Sequence, residues 1–251
     1  MNNYLLVYPI AIILFFATVM SFTCTPFFTE RQFPMPFYYL SEIEKYSFSY
    51  YLVFIWHFWI MSQSLVTLFL CFGIPILISM ISTKLDILAL RLKNIKNENQ
   101  LKVWIQKHQK CIGHAKNINR ILRFLVFKLY VAGMMTVIFG ALPILYYNST
   151  IELIRATLYV GVSLLLVYVV VWGADDMNRA SSKISQEIFN NSDWTNMSTL
   201  IRKSMIIIMC RAQKQLDISI PGVLPALTLH FYAKFLSYAL SYIMTLRAVL
   251  L

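Results

Sequence analysis

Residues 46–83, YSFSYYLVFIWHFWIMSQSLVTLFLCFGIPILISMIST, form one stretch without Asp, Glu, Lys or Arg. A transmembrane helix needs about 20 mostly apolar residues to cross the roughly 30 Å hydrocarbon core of a bilayer. This stretch exceeds that length, and we place its span at about residues 54–81. Its aromatic cluster at Trp56–Trp59 is typical of a membrane interface or a binding pocket.

The whole chain has the composition of a membrane protein. Of its 251 residues, 59% are hydrophobic and 13% are charged, and the mean hydropathy is +0.63. Soluble domains carry about 25% charged residues. The net charge of +11 does not indicate nucleic acid binding, because the basic residues lie between apolar runs rather than over a hydrophilic surface.

Four further apolar runs predict spans at about residues 5–23, 124–147, 153–173 and 225–248. The first run lacks a preceding basic residue and a clear cleavage site, which favours a span over a signal peptide. The last run contains Lys234 and Arg247, but a helix that faces protein or water can carry such charges. We therefore predict an all-α fold, a polytopic membrane helix bundle of five spans in a single domain over 1–251.

Two long basic segments, about 84–123 and 177–220, fix the orientation of these spans. The first contains ten Lys and Arg residues against two acidic ones. Cytoplasmic loops carry such an excess, so the amino end is predicted inside and the carboxyl end outside. Apolar residues recur at helical spacing in the first segment and predict helices that extend into the cytosol: Leu85, Ile87, Leu88, Leu92, Ile95, Leu101, Trp104 and Ile105.

Few side-chain patterns indicate chemistry. His108, Cys111 and His114 have a spacing that zinc ligands can adopt, but without an obvious fourth ligand one face of an amphipathic helix is the preferred interpretation. Asp175 and Asp176 are interpreted as a hydrated helix end rather than a cation site. Because the sequence has no nucleophile motif, phosphate loop or paired ligand set, we predict no enzyme, metal or cofactor.

Three further features have weaker interpretations. Lys234 either contacts ions or lipid phosphates or extends to the inner interface. Asn148 belongs to a glycosylation sequon on the predicted outer side, directly against the membrane, so its modification stays open. Only Cys24 of the four cysteines falls outside, so no disulfide framework is expected.

A series of motifs runs from Asp175 to Leu246. After the acidic pair come, in order, FNNSDW at 189–194, IRKSMIIIM at 201–209, Arg211-Ala212-Gln213, Pro221-Gly222, FLSY at 235–238, Ser241-Tyr242 and Leu246-Arg247. In order and spacing these motifs resemble the insect odorant receptor family. His108-Gln109 in the basic inner segment is similar too, so the resemblance covers the whole chain.

The resemblance implies a subunit of a ligand-gated cation channel in smell perception, located in the plasma membrane. Such receptors are expected to form hetero-tetramers with a shared co-receptor subunit. The last helix lines the pore, the cytoplasmic helices form an anchor between subunits, and a small volatile odorant binds in the outer half of each bundle. The family has seven spans, so the five predicted here correspond to its third through seventh.

The resemblance also implies which residues carry these roles. Candidate odorant-binding residues lie in the outer parts of three spans: Thr18, Ser21, Phe22, Trp56, Trp59, Ser62, Gln63, Tyr159 and Ser163. Candidate pore-lining residues lie in the last span: Ser241, Tyr242, Met244 and Thr245. The family's gate is typically aliphatic, and Thr245 stands near that place, so the co-receptor is expected to supply a tight gate.

Three alternatives stay open. A gustatory-receptor-like subunit has the same fold, but Ser237-Tyr238 with Ser241-Tyr242 favours the odorant branch. A membrane transporter is suggested by Gly73-Ile74-Pro75 and Gly140-Ala141-Leu142-Pro143, which are expected to interrupt their spans, although not in matched halves. A truncated, non-conducting fragment is suggested by the two missing spans, and the 5′ end of the transcript tests it. We expect no odorant-evoked current from the isolated chain.

Overall fold

A computed structural model describes residues 4–24, 46–92, 95, 97–146, 150–191, 197–220 and 222–250. Six helices form in these ranges: α1 Tyr4–Thr23, α2 Phe48–Leu92, α3 Glu98–Tyr146, α4 Thr150–Asn191, α5 Thr199–Gln213 and α6 Leu229–Leu250. The described residues contain no strand, and their one isolated bridge pairs Ile220 with Leu224. The prediction of an all-α fold is confirmed.

Helices α2, α3 and α4 are longer than a bilayer is thick. They contain 45, 49 and 42 residues. At roughly 1.5 Å per residue, each is about twice the length of a 30 Å hydrocarbon core. Each begins or ends in an apolar run and continues into a segment that contains charged residues, as the sequence predicts for helices that extend into the cytosol.

Within the described residues, three helices are long and apolar enough to cross a membrane: Phe48–Leu92, Glu98–Gly140 and Thr150–Asn190. Val7–Thr23 in α1 is a shorter apolar helix. The spans predicted at about 5–23 and 225–248, and the exact bounds of the other three, stay predictions. Helix α6 begins at Leu229 rather than near Pro225, because Thr228 caps it: the Thr228 hydroxyl accepts a hydrogen bond of 3.2 Å from the N–H of Phe231.

The expected interruption at Gly73-Ile74-Pro75 is wrong, since α2 continues through Pro75. Pro75 is buried, and Gly173 of α4 packs directly against it. A Cβ atom added to Gly173 would lie 3.2 Å from Pro75 Cβ and 3.3 Å from its Cα. The absence of a side chain on Gly173 lets α4 approach α2 closely at this point, and α2 continues although proline removes one backbone hydrogen bond. Helix α3 likewise continues through Gly140.

The chain divides into two compact units. Unit 1 contains the described residues of Met1–Phe72, Tyr130–Val167 and Tyr238–Leu251, and unit 2 contains those of Gly73–Leu129 and Tyr168–Ser237. Unit 1 therefore holds the whole of the first predicted span and the outer parts of the other four. Unit 2 holds both predicted cytoplasmic segments.

Unit 2 has a core of apolar residues at helical spacing. Its largest fully buried side chains are Ile78, Leu85, Leu92, Leu122, Met177, Ile184, Ile188, Met205, Ile218 and Phe235. Trp104 of α3 is also buried, and its Nε1 donates a hydrogen bond of 2.8 Å to the carbonyl oxygen of Leu88 in α2. Of the residues predicted from periodicity, Leu85, Leu88, Leu92 and Trp104 are buried, whereas Ile87 is exposed.

Candidate ligand-binding site

The carboxyl end of α1 contacts the outer part of α4 in unit 1. The rings of Phe22 and Tyr159 meet edge to face, with centroids 5.9 Å apart and planes at 76°. Such aromatic pairs contribute about 0.5–1.5 kcal/mol beyond the area they bury. The structure thus brings together two candidate odorant-binding residues that lie far apart in the sequence.

The hydroxyl groups of two further candidates are satisfied within their own helices. Thr18 is buried, and its hydroxyl donates to the Leu14 carbonyl oxygen at 2.8 Å. The Ser62 hydroxyl donates to the Trp59 carbonyl oxygen at 2.7 Å. Because these donors are used locally, the two side chains present mainly apolar surface to a neighbour, which suits a small apolar ligand.

The candidates on α2 are less enclosed by the described chain. Trp56 and Trp59 are 51% and 61% exposed, and Gln63 is exposed as well. Trp56 stacks on its neighbour His57, with ring centroids 5.9 Å apart. His57 is fully buried and was not among the site residues predicted from sequence. Ser21 and Ser163 are half-buried, and all nine candidates belong to unit 1.

Behind Tyr159, α4 packs closely on α3 at Gly140. A Cβ atom added to Gly140 would lie 2.6 Å from Val160 Cγ2 and 3.4 Å from Tyr159 Cδ1. A contact of 2.6 Å is shorter than real Cβ atoms make, so the position requires glycine unless Val160 moves. Sequence reasoning missed this role, because Gly140 lies in a motif that was expected to interrupt its span.

The same part of α4 reaches the last helix. Val137 of α3, Val160 of α4 and Ala239 of α6 form one buried cluster, against which Leu164 and Ile243 pack. A continuous series of contacts therefore runs from Phe22 through Tyr159 and its neighbour Val160 to α6. All of these residues lie in unit 1.

The four candidate pore residues lie on the exposed side of α6. Ser241, Tyr242, Met244 and Thr245 are all exposed, whereas Phe235 and Ala239 of the same helix are buried. The Thr245 hydroxyl donates to the Ser241 carbonyl oxygen at 2.8 Å. A helix with one packed side and one exposed side is suited to line a surface shared with other chains.

In unit 2, the start of α6 is held by Asp175. Asp175 is 7% exposed, which corrects its interpretation as a hydrated helix end. Its Oδ1 accepts a hydrogen bond of 3.2 Å from the N–H of Leu229, and its Oδ2 lies 2.6 Å from Nη2 of Arg179. Helix amino ends carry partial positive charge and free N–H groups, so a paired carboxylate is stable there.

His108 and Cys111 are buried in the predicted cytoplasmic segment, whereas His114 is exposed. No group of three or more candidate metal ligands occurs among the described residues. Burial, aided by the positive charge of Arg211, lowers the pKa of His108 to about 4. Burial raises the pKa of the Cys111 thiol.

Among the other predicted features, Lys234 is exposed near the start of α6, whereas Asn148, Trp194 and Pro221 lie outside the described residues.

Comparisons with known proteins identify the fold and the family. The sequence model of the family described as 7tm Odorant receptor matches residues 1–239. The chain is 26% identical to putative odorant receptor 92a of Drosophila melanogaster over 155 residues, which are 62% of this chain and 36% of that one. It is 25% identical to odorant receptor Or2 of Anopheles gambiae over 150 residues, or 60% and 39% of the two chains.

A solved structure shares the fold. The insect olfactory receptor OR5 from Machilis hrabei, determined in complex with eugenol, matches with a TM-score of 0.69 and 17% identity over 97% of this chain and 65% of that one. The prediction of a membrane helix bundle is confirmed.

The segments matched in the curated relatives span less than two fifths of their lengths, 36% and 39%. The expectation that the chain is not an enzyme is confirmed by its relatives, which are receptors. This chain is a multi-pass membrane protein that belongs to the odorant receptor family of insects.

Proposed function

We propose that this chain forms the odorant-binding part and the pore helix of a ligand-gated cation channel subunit. The channel acts in smell perception at the plasma membrane, as a hetero-tetramer with a shared co-receptor subunit. The family match supports the class of protein. The eugenol in the related structure, a small and mostly apolar molecule, supports the class of ligand.

The observation that carries the proposal is the contact between Phe22 and Tyr159. Both are among the residues proposed to bind odorant, with Thr18, Ser21, Trp56, Trp59, Ser62, Gln63 and Ser163. Apolar and aromatic walls with few free polar groups are typical of sites for small apolar ligands. An odorant that inserts beside this pair exchanges ring–ring contact for ring–ligand contact.

Gating follows from the series of contacts that starts at Tyr159. A shift of Tyr159 carries Val160 with it, and Val160 packs both on Gly140 and on the cluster that contains Ala239 of α6. Tightly packed contacts change in discrete steps rather than continuously. The ligand opens the channel only to the extent that it binds the open arrangement more tightly than the closed one.

The pore side of the proposal rests on Ser241, Tyr242, Met244 and Thr245, all of which are exposed on α6. Hydroxyl and thioether groups present a mildly polar wall to a hydrated cation. Thr245 does not provide a purely aliphatic constriction of the kind that closes a pore by dewetting. We therefore assign the tight gate to the co-receptor.

The test expresses the protein encoded by the full transcript that contains these residues, together with the co-receptor. Phe22→Ala removes half of the aromatic pair, and Phe16→Ala, an exposed phenylalanine of the same helix, is its matched control. We expect Phe22→Ala to raise the half-maximal odorant concentration about tenfold, the equivalent of roughly 1.4 kcal/mol, and Phe16→Ala to leave it within twofold. Equal effects of both variants, at equal surface expression, would overturn the placement of the site.

A further inference from the structure

Unit 2 contains a cavity of about 240 Å³ with a basic wall. It is lined from three helices and the segment after α5: Ala115, Lys116, Asn119, Arg123, Met177, Arg211, Lys214, Gln215, Leu216, Asp217 and Ser219. Four of these residues are cationic and one, Asp217, is acidic. None of the proposed odorant-binding or pore residues contributes to it, so the proposed channel function leaves this cavity without a role.

The cavity wall carries an excess of positive charge, with four cations against the single carboxylate of Asp217. Among the described residues, Lys116, Arg123, Arg211 and Lys214 form no ion pair. Lys116, Arg123 and Lys214 are exposed and Arg211 is half-buried, so water screens part of their repulsion. Their combined positive potential still attracts anions to the cavity. Arg211 also contributes to the low pKa of the nearby His108, as expected where the potential is positive. An anion in the cavity would offset this repulsion.

The wall is held in place before any ligand arrives. Lys116, Asn119 and Arg123 are spaced so that they share one side of α3. The N–H of Leu216 donates to the Ser181 hydroxyl of α4 at 3.0 Å, which fixes the segment after α5. Nη1 of Arg211 donates to the Lys214 carbonyl oxygen at 3.3 Å. A preorganised set of donors binds an anion with less loss of conformational entropy.

One neutral group in the wall narrows the class of ligand. The side-chain oxygen of Asn119 is buried, and it accepts no hydrogen bond from any described residue. A buried acceptor of this kind is costly unless a group donates to it. A ligand reaches this oxygen once the Asn119 side chain, which lines the wall, turns toward the cavity. A fully deprotonated phosphate has no hydrogen to donate to the Asn119 oxygen. The hydroxyl groups of a polyol can donate such a hydrogen bond.

We propose that this cavity binds a multiply phosphorylated polyol, with its phosphates on Lys116, Arg123, Arg211 and Lys214 and a hydroxyl on Asn119. The volume is below the roughly 300 Å³ at which sites for drug-sized ligands begin, so it fits a headgroup rather than a whole lipid. Arg123 directly precedes Phe124, where the third predicted span begins. The cavity therefore lies at the predicted inner interface, where either a phosphoinositide headgroup or a soluble inositol phosphate can reach it.

The test measures binding and thermal unfolding of the whole chain in nanodiscs. One arm titrates phosphatidylcholine nanodiscs with inositol trisphosphate, and a second arm compares nanodiscs containing phosphatidylinositol bisphosphate with nanodiscs of equal charge made with phosphatidylserine. We expect inositol trisphosphate to bind and to raise the unfolding temperature by a few degrees, because a ligand of the folded state stabilises it. Binding in the soluble arm alone identifies a soluble ligand, and a response specific to the bisphosphate lipid identifies the headgroup. Either supports the proposal.

Matched variants distinguish binding at the cavity from non-specific attraction of anions to a basic protein. Lys116→Gln with Arg123→Gln removes two cavity cations of α3, and Lys110→Gln with Arg120→Gln removes one Lys and one Arg of α3 outside the cavity. The first pair should weaken binding about tenfold or more, since it removes two charge-assisted contacts, and the second should change it less than twofold. Arg211→Gln alone tests the site if the first pair misfolds.

Asn119→Ala tests the hydroxyl contact. It should weaken inositol trisphosphate binding severalfold and leave the weaker binding of inorganic phosphate unchanged. The proposal is overturned if neither arm shows binding, if both variant pairs weaken it equally, or if inorganic phosphate binds as tightly as inositol trisphosphate.

Discussion

The Oδ1 atom of Asp175 accepts a hydrogen bond of 3.2 Å from the backbone N–H of Leu229, the first residue of α6. This bond joins the middle of α4 to the start of the helix that we propose to line the pore. Arg179, one turn further along α4, holds the second carboxylate oxygen at 2.6 Å. One buried carboxylate therefore helps to fix the start of α6.

Replacing Asp175 by Ala should destabilise unit 2 by about 1–3 kcal/mol, because the change leaves a helix N–H without its acceptor and Arg179 without its partner. The matched control is Asp86→Ala, which removes the ion pair of Asp86 with Lys183 at 3.2 Å. Both side chains of that pair are 44% exposed, so its loss should cost at most about 1 kcal/mol. Thermal unfolding in detergent compares the two, and equal losses would contradict a capping role for Asp175.

Gly140→Ala should separate α3 from α4. The added methyl group would lie 2.6 Å from Val160 Cγ2, and the β-branched valine has few other rotamers in a helix. We expect a loss of about 1–3 kcal/mol and a fall in surface expression. Gly161→Ala on α4 is the control, since nothing lies within 4 Å of its added Cβ. Recovery in the double variant with Val160→Ala would locate the clash, whereas a tolerated Gly140→Ala would show that the two helices are not in close contact.

His108 should make unit 2 sensitive to acid. The pKa of His108 is lowered to about 4 in the folded chain, from an ordinary value of 6.5. The unfolded chain therefore binds a proton first as the pH falls, and stability is lost from about pH 6.5 down to pH 4. The full effect is at most about 3 kcal/mol.

Unfolding midpoints measured at pH 7, 6 and 5 check this prediction. His108→Gln should flatten the decline over that range. His114→Gln changes an exposed histidine of the same helix and should leave the decline as it is. An unchanged decline in His108→Gln would show that other groups cause it.

Trp104→Phe should weaken the packing of α3 on α2. The indole N–H of Trp104 donates to the Leu88 carbonyl oxygen at 2.8 Å in a buried position. Phenylalanine keeps most of the apolar surface but leaves that carbonyl unpaired, at a cost of about 1–3 kcal/mol. Urea unfolding of the purified chain measures the change. A loss as small as that of Val103→Ala, an exposed neighbour, would contradict the importance of this bond.

Hydropathy and periodicity predict much of this fold because they depend on local sequence. The apolar run at 46–83 and the spacing of Leu85, Leu88 and Leu92 directly indicate helices and their buried sides. The continuity of α2 at Pro75 was missed because proline usually breaks a helix. Its contact with Gly173, about a hundred residues later, was missed too. Contacts between helices are not visible in the local pattern of either helix.

The candidate site shows the same division. Phe22 and Tyr159 were predicted from family resemblance as members of one site, and the structure adds that their rings touch. The need for glycine at position 140 was not predictable. It follows from the close approach of α3 to Val160 of α4, which the sequence does not show. Asp175 was misinterpreted because charge near a helix end usually faces water, and only the fold shows that Leu229 covers it.

The most direct test of the account is whether odorant changes access to the exposed side of α6. Thr245→Cys is introduced into the receptor carrying this chain, and a charged thiol-reactive reagent is applied with and without odorant while the current is recorded with the co-receptor present. We predict that the reagent alters the current several times faster with odorant than without it, and leaves the receptor with Thr245 unaffected. Modification at the same rate in both conditions, or no effect of the reagent on the Cys variant, would contradict a pore that is lined by α6 and opened by ligand.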